Sequence, residues 1–170
     1  MRRRLPAELA GELAEQVGGR PRVLRWAEGD RGVVAALPAW LAVRRVEGWQ
    51  LIGWHEIEGG GWSAPDQLLE WTLTDGRRGR MRLTEAGRFP EVFRERVHAT
   101  IIVRREVNDP DTGAQFTLSA RRRLDDDRAP LLWETTLVRG TTWSQPGVRE
   151  ATERAMAALR SEYDIPPGGC

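Results

Sequence analysis

Two segments near the middle of the chain leave a narrow choice of fold. Leu69, Trp71 and Leu73 alternate with Glu70, Thr72 and Thr74, and beyond Asp75-Gly76, Met81 and Leu83 alternate with Arg80, Arg82 and Thr84. A period of two puts successive side chains on opposite faces, so each segment reads as a half-buried strand. Both belong to a meander running from Ile52 to Thr84 and must share one apolar face. Parity then constrains the loop. A two-residue Asp75-Gly76 connection would set Trp71 opposite Arg80 and turn one apolar face to water. An odd-numbered loop, Asp75-Gly76-Arg77, sets Trp71 opposite Met81 and Leu69 opposite Leu83, with Glu70 beside Arg82 on the wet face. That register is the expectation.

The rest of the chain extends the pattern. Leu5, Leu9, Leu13 and Val17 recur at helical spacing and Gly18-Gly19 ends them, which predicts an amphipathic helix over 5–17. Arg22 to Ala27 reads as a strand with Leu24 and Trp26 on one face, followed by a turn at Glu28–Gly32 and a strand from Val33 to Leu37. Strands are also expected at Trp40 to Arg44, after the break at Pro38, and at Gly48 to Ile52. Trp54-His55-Glu56-Ile57 reads as strand-like. Phe89, Phe93 and Val97 predict a helix from about Phe89 to about Thr100 whose apolar face closes the sheet. Beyond it come strands at Ile101–Val107, Phe116–Ala120 and Leu131–Leu137, with turns at Asn108–Gly113 and Asp125–Asp127. A last helix is expected with Ser144 as its cap, Pro146 in its first turn, and Val148, Ala151, Ala155, Leu159 and Tyr163 on one face.

A run of strands followed by a helix argues for an antiparallel α+β fold. The strands from Arg22 to Thr84 capped by one amphipathic helix resemble a pleckstrin-homology (PH)-like barrel, and Leu51-Ile-Gly-Trp54-His-Glu-Ile57 resembles a segment common in bacterial PH-like domains. The chain also resembles a group of uncharacterised actinobacterial proteins that pair such a domain with a C-terminal segment like the one at Arg96-Val97, Arg121-Arg122-Arg123, Trp133 and the closing helix. The resemblance implies an antiparallel PH-like β-barrel closed by a helix, followed by a three-strand plus helix extension. The expected organisation is an N-terminal helix at 1–19, the barrel and closing helix at 20–100, an extension at 101–165 packed on the barrel, and a disordered tail at 166–170.

Charge excludes some function classes. The chain's 170 residues hold 26 basic and 25 acidic side chains, split 13 against 12 in residues 1–85 and 13 against 13 in 86–170. A general nucleic-acid binder shows a basic excess that this chain lacks. Every basic residue is Arg, so no Lys is present to act as a nucleophile. Cys170 is the sole cysteine and cannot form an intrachain disulfide. Arg2-Arg3-Arg4 is followed by acids where a signal peptide would carry an apolar run, so a cytoplasmic protein is expected.

The chemical motifs weaken on inspection. His55-Glu56 lacks the second His of a helical metalloprotease site, since position 59 is Gly59. Asp111-Thr112-Gly113 is explained by turn chemistry. Gly59-Gly60-Gly61 opens no helix and reads as a bulge or a close backbone approach. Arg121-Arg122-Arg123 lies beside Asp125-Asp126-Asp127, which favours surface ion pairing. No catalytic, metal-ligating or cofactor-binding residue is assigned. Of the eight Trp, Trp26 and Trp71 fall on apolar faces and read as core, while Trp49, Trp62 and Trp143 are the candidate binding surface.

The expected function is a non-enzymatic PH-like protein-interaction or scaffold module that uses a sheet edge or barrel rim. The alternative is a small-molecule-binding barrel, possibly enzymatic, with a Trp/Arg-lined pocket. The partner is an unspecified protein, with no specific nucleic acid and no specific lipid headgroup. Glu28 and Asp30 beside Arg31 in the first hairpin would repel an anionic headgroup.

Overall fold

A computed structural model describes residues 4–163. The tail expected at 166–170 therefore lies outside the described residues. Within them the chain is α+β, with three antiparallel sheets and three α-helices, in the order helix, seven strands, helix, three strands, helix. The described residues divide into two compact units, 4–100 with 122–130 and 101–121 with 131–163.

The first unit begins with α1 (Ala7–Val17), which ends on Gly18 at φ 73°, a left-handed cap that glycine adopts without strain. Four strands follow as one meander: β1 (Arg25–Gly29), β2 (Gly32–Ala36), β3 (Trp40–Arg45) and β4 (Gly48–Gly53). This sheet is buried on both faces. Val34, Ala36, Leu41, Val43 and Ile52 point into an inner core. Val33, Ala35, Ala42 and Trp49 form an outer cluster with Leu13 of α1, against which Leu5, Leu9 and Val17 pack. Trp26 joins this outer cluster and Leu24 the inner one, so the two do not share a face as the alternation suggested. The regular pairing starts only at Arg25, and Leu24 precedes it.

Arg44 of β3 ties the helix down through a two-pronged pair with Glu12, its Nε and Nη2 donating at 2.6 and 3.0 Å. The same bonds hold the Glu12 carboxyl below its ordinary range.

The second sheet is β5 (Ile57–Ser63), β6 (Leu68–Leu73) and β7 (Arg78–Arg82). Leu69, Trp71, Leu73 and Met81 face the inner core together, as the alternation required. The register differs by two residues from the expected one: Leu69 lies opposite Met81 and Trp71 opposite Gly79, with Glu70 beside Arg80. Parity is kept, but the loop is Thr74-Asp75-Gly76. Gly76 N donates to Leu73 O and Leu73 N to Arg77 O, which makes Gly76, at φ 86°, the residue that closes the turn. Asp75 Oδ1 accepts from Arg77 N at 2.9 Å. Gly79 completes the explanation, because a Cβ there would fall inside the Trp71 indole.

Between the two sheets, Trp54–Glu56 forms one 3-10 turn where a strand was expected. Trp54 is fully buried and donates Nε1–H to Leu37 O at 2.9 Å, which fixes the corner. The triple glycine behaves as expected. Pairing shifts between Ile57 and Gly59, and a Cβ on Gly60 would meet the Phe93 ring.

The strands do not close into the expected barrel. The turn at Trp54–Glu56 interrupts pairing on one side, and on the other only an isolated bridge, Gly29 to Leu83, joins β1 to the end of the second sheet. Helix α2 (Phe89–Thr100) covers the inner core with Phe89 and Phe93 buried and Val97 packed beside them, as its periodicity predicted. Phe93 meets Trp54 edge to face, with centroids 5.7 Å apart.

In the second unit, β8 (Ile101–Asn108), β9 (Gln115–Arg121) and β10 (Leu132–Leu137) form a sheet of order β10-β9-β8. Phe116 and Leu118 share a core with Val148, Ala151 and Leu159 of α3 (Val148–Tyr163). Ser144 does not cap this helix. Gly147 at φ 77° separates Ser144-Gln145-Pro146 from it, and Gln145 O instead accepts from Val148 N. Arg105 of β8 holds the far end of α3 by two bonds to Glu162, at 2.8 and 2.9 Å.

Two stability measurements check this packing. Phe93→Ala should cost about 3–5 kcal/mol in urea unfolding, and Gly79→Val about 1–3 kcal/mol by forcing a side chain into Trp71. A loss below about 0.5 kcal/mol in either would mean that the core is not built as described. The Glu12 pair gives a pH signature. A depressed folded-state carboxyl stabilises above its unfolded value, near pH 4.3, and that contribution is lost as pH falls through the folded value. Glu12→Gln should therefore lower Tm at pH 7, and the gap to the unaltered chain should narrow in acid.

Candidate functional site

The three tryptophans singled out from the sequence belong to different packings. Trp49 is only 9 % exposed and lies in the outer cluster beneath α1, so it is not a surface residue. Its Nε1 is buried without a hydrogen-bond partner among the described residues. The reason is the second apolar face of the first sheet, which α1 covers. Trp62 is half-buried against the inner core. Trp143 is 46 % exposed and stands at a groove of the second unit.

That groove, about 800 Å³, runs between β10 and α3. Its composition follows from the two elements. Trp133 and Thr135 lie two apart on β10 and therefore share a face. Arg149, Glu153, Met156 and Arg160 recur along α3 at spacings of four, three and four, which puts them on one stripe. Two arginines lie over two indoles: Arg149 over Trp143 at 5.5 Å and Arg160 over Trp133 at 5.6 Å. Tyr163 adds an edge contact to Trp133 at 6.1 Å. Each pair offers a flat apolar surface capped by a guanidinium, suited to aromatic side chains and carboxylates.

Sequence reasoning singled out Trp143 but placed Trp133 only as a residue of a strand. The stripe of Arg149 and Arg160 on α3 was the signal that would have linked the two.

The remaining candidates take structural roles. Glu56 Oε2 accepts from Gly53 N at 2.6 Å, so His55-Glu56 belongs to the capped 3-10 turn. Asp109 Oδ2 accepts from Thr112 N and Oγ1 at 3.0 and 2.6 Å, and Gly113 sits at φ 69°, which makes Asp111-Thr112-Gly113 part of a turn. Arg121 is buried and bonded to Glu134 at 3.2 Å, which corrects the expectation of surface pairing for it. Arg122 donates to Ala99 O, and Arg123 pairs with Asp125 as expected.

The first hairpin turn is tighter than expected, with Gly29 paired to Gly32 around Asp30-Arg31. Arg80 and Arg82 of β7 join this turn in a hollow of about 200 Å³, which the sequence did not reveal. Asp30 keeps a carboxylate there, its Oδ1 accepting from Arg82 N at 3.1 Å.

Compared with known proteins, the chain matches no family model, no curated protein and no solved structure. No helix of the described residues is long and apolar enough to cross a membrane.

An exposed Trp–Arg pair contributes little to folding, so Trp143→Ala should change stability by less than about 1 kcal/mol. Trp133→Ala, which removes a core contact as well, should cost about 2 kcal/mol or more. Equal losses in thermal unfolding would place both rings in the same environment and contradict the groove.

Proposed function

We propose that the chain is a non-enzymatic, PH-like interaction module that holds a protein partner on its second unit. The PH-like reading draws on the order of the first unit: four antiparallel strands, three more, then a helix whose apolar face covers the space between the sheets. The bridge from Gly29 to Leu83 brings the outer edges of the two sheets together.

The observation that carries the interaction reading is where apolar side chains stand in water. Ile102, Leu132, Val138, Trp143 and Tyr163 are exposed in the second unit, against Val46 in the first. Leu132 opens the edge strand β10 and Val138 directly follows it, beside a groove offering Trp and Arg, the residue types that dominate interface energies. An extended partner segment adding to β10 would satisfy the unpaired backbone of that edge and place its side chains towards Trp133 and Trp143. In this reading the partner is a protein rather than a lipid headgroup, since the exposed apolar side chains and the Trp–Arg pairs lie together on the second unit, beside an edge strand.

The alternative, a small-molecule-binding barrel, draws on the same Trp–Arg pairs. They line an open groove of the second unit, however, while Trp54, Trp71, Phe89 and Phe93 fill the interior of the first.

The test is affinity capture from native lysate with the full chain as bait, compared with a Leu132→Asp/Trp143→Ala variant of unchanged Tm. A specific protein should be retained by the first and lost by roughly tenfold or more on the second, as for hot-spot truncation. Repeated recovery of no partner, or equal capture by the variant, would contradict the proposal.

A further inference from the structure

A second cleft, of about 870 Å³, lies in the first unit between α1 and the segment leading into β1. Its apolar lining includes Val23 and Trp26, and Gly11 of α1 leaves one wall open, with nothing within 4 Å of where a Cβ would stand. Three arginines flank it, Arg4, Arg20 and Arg25, and none of the described residues that line it is acidic.

What sets these arginines apart is their grouping around one apolar hollow, with no carboxylate held among them. Arg44, Arg77, Arg105 and Arg123 each bond to a carboxylate. Among the described residues, no side-chain hydrogen bond or ion pair is made by the three at the cleft. The chain as a whole carries a net charge of only +1, so the concentration is local. Like charges around an apolar hollow repel one another, and an anion placed among them relieves that repulsion. Guanidinium forks match carboxylate and phosphate oxygens, and the hollow's size falls in the range of small-molecule sites.

We propose that this cleft binds a small amphipathic organic anion, a carboxylate or phosphate monoester carrying one apolar chain or ring. The apolar body lies along Val23 and Trp26, and the anionic group is held by Arg20 and Arg25, with Arg4 closing the rim. This site is separate from the groove of the second unit and does not depend on a protein partner there.

The test is calorimetric titration of the full chain with monomeric dodecanoate, kept below its micellar range, with dodecanol and acetate as controls. Dodecanoate should bind saturably, and both controls should bind at least roughly tenfold more weakly, because each lacks one of the two recognised parts. Arg20→Gln/Arg25→Gln should weaken dodecanoate by a similar factor. Gly11→Leu should abolish binding by filling the cleft, and it remains folded because Leu favours a helix more than Gly does. Thermal unfolding confirms that both variants are folded. The proposal is overturned if dodecanoate does not bind, if dodecanol binds as well as dodecanoate, or if neither variant alters the affinity. It is equally overturned if the chain binds only acidic peptide or anionic vesicles and not the free acid.

Discussion

The first sheet is apolar on both faces, and the first unit is arranged to give it two covers. Val33 to Ala36 and Leu41 to Val43 leave no strand position free for a solvated side chain. One face takes the second sheet and α2, through Trp71, Met81, Phe89 and Phe93. The other takes α1. Ala35 lies directly opposite Ala42 across β2 and β3, and these two small residues share a cluster with the fully buried Leu13. Burying a large aliphatic side chain is worth roughly 1.5–3 kcal/mol, so uncovering either face would forfeit several such terms. The helix at the N-terminus is therefore part of the fold and not an appendage.

This double cover has a consequence for function. A sheet packed on both sides has no free face to offer a ligand, and the interior between the sheets is filled by tryptophan and phenylalanine rings. On the two proposals made above, recognition falls to what remains at the margins: the cleft beside α1 with its cluster of arginines, and the groove of the second unit with its stacked Trp–Arg pairs. Both combine apolar surface with guanidinium groups. They differ in that the groove also carries Glu153 and lies beside an edge strand, which suit a peptide, while none of the described residues lining the cleft is acidic.

Periodicity made the element order legible, including the helix from Phe89 to Thr100 and its buried Phe face. It also showed that Trp71 and Met81 share a face, because parity of the hairpin loop is a local property. Which odd loop forms was not legible. Two choices preserve the faces, and the selection rests on Gly76 at positive φ and on the room that Gly79 leaves for Trp71, the second a contact that alternation does not encode. Closure was overestimated for a related reason: the 3-10 turn at Trp54 depends on its indole reaching Leu37 O, seventeen residues back. Trp49 was misplaced because its strand does not alternate cleanly, with Leu51 and Ile52 consecutive and on opposite faces, and only the helix at the start of the chain reveals that both faces are covered. The groove was half legible, through Trp143 alone, since nothing in the alternation of β10 marks Trp133 as a groove residue, although the helix that supplies the arginines is the next element in the chain.

The double cover is tested most directly by native-state hydrogen exchange of the full chain, resolved to single amides. The account predicts that the amides of β2 and β3 are the slowest to exchange, and that truncating Leu13 to Ala speeds exchange on these strands as well as on α1, because they share one cluster. If β2 and β3 instead exchange as fast as the turn at Asp75-Gly76, or if Leu13→Ala affects α1 alone, the sheet is not held between two covers and the account fails.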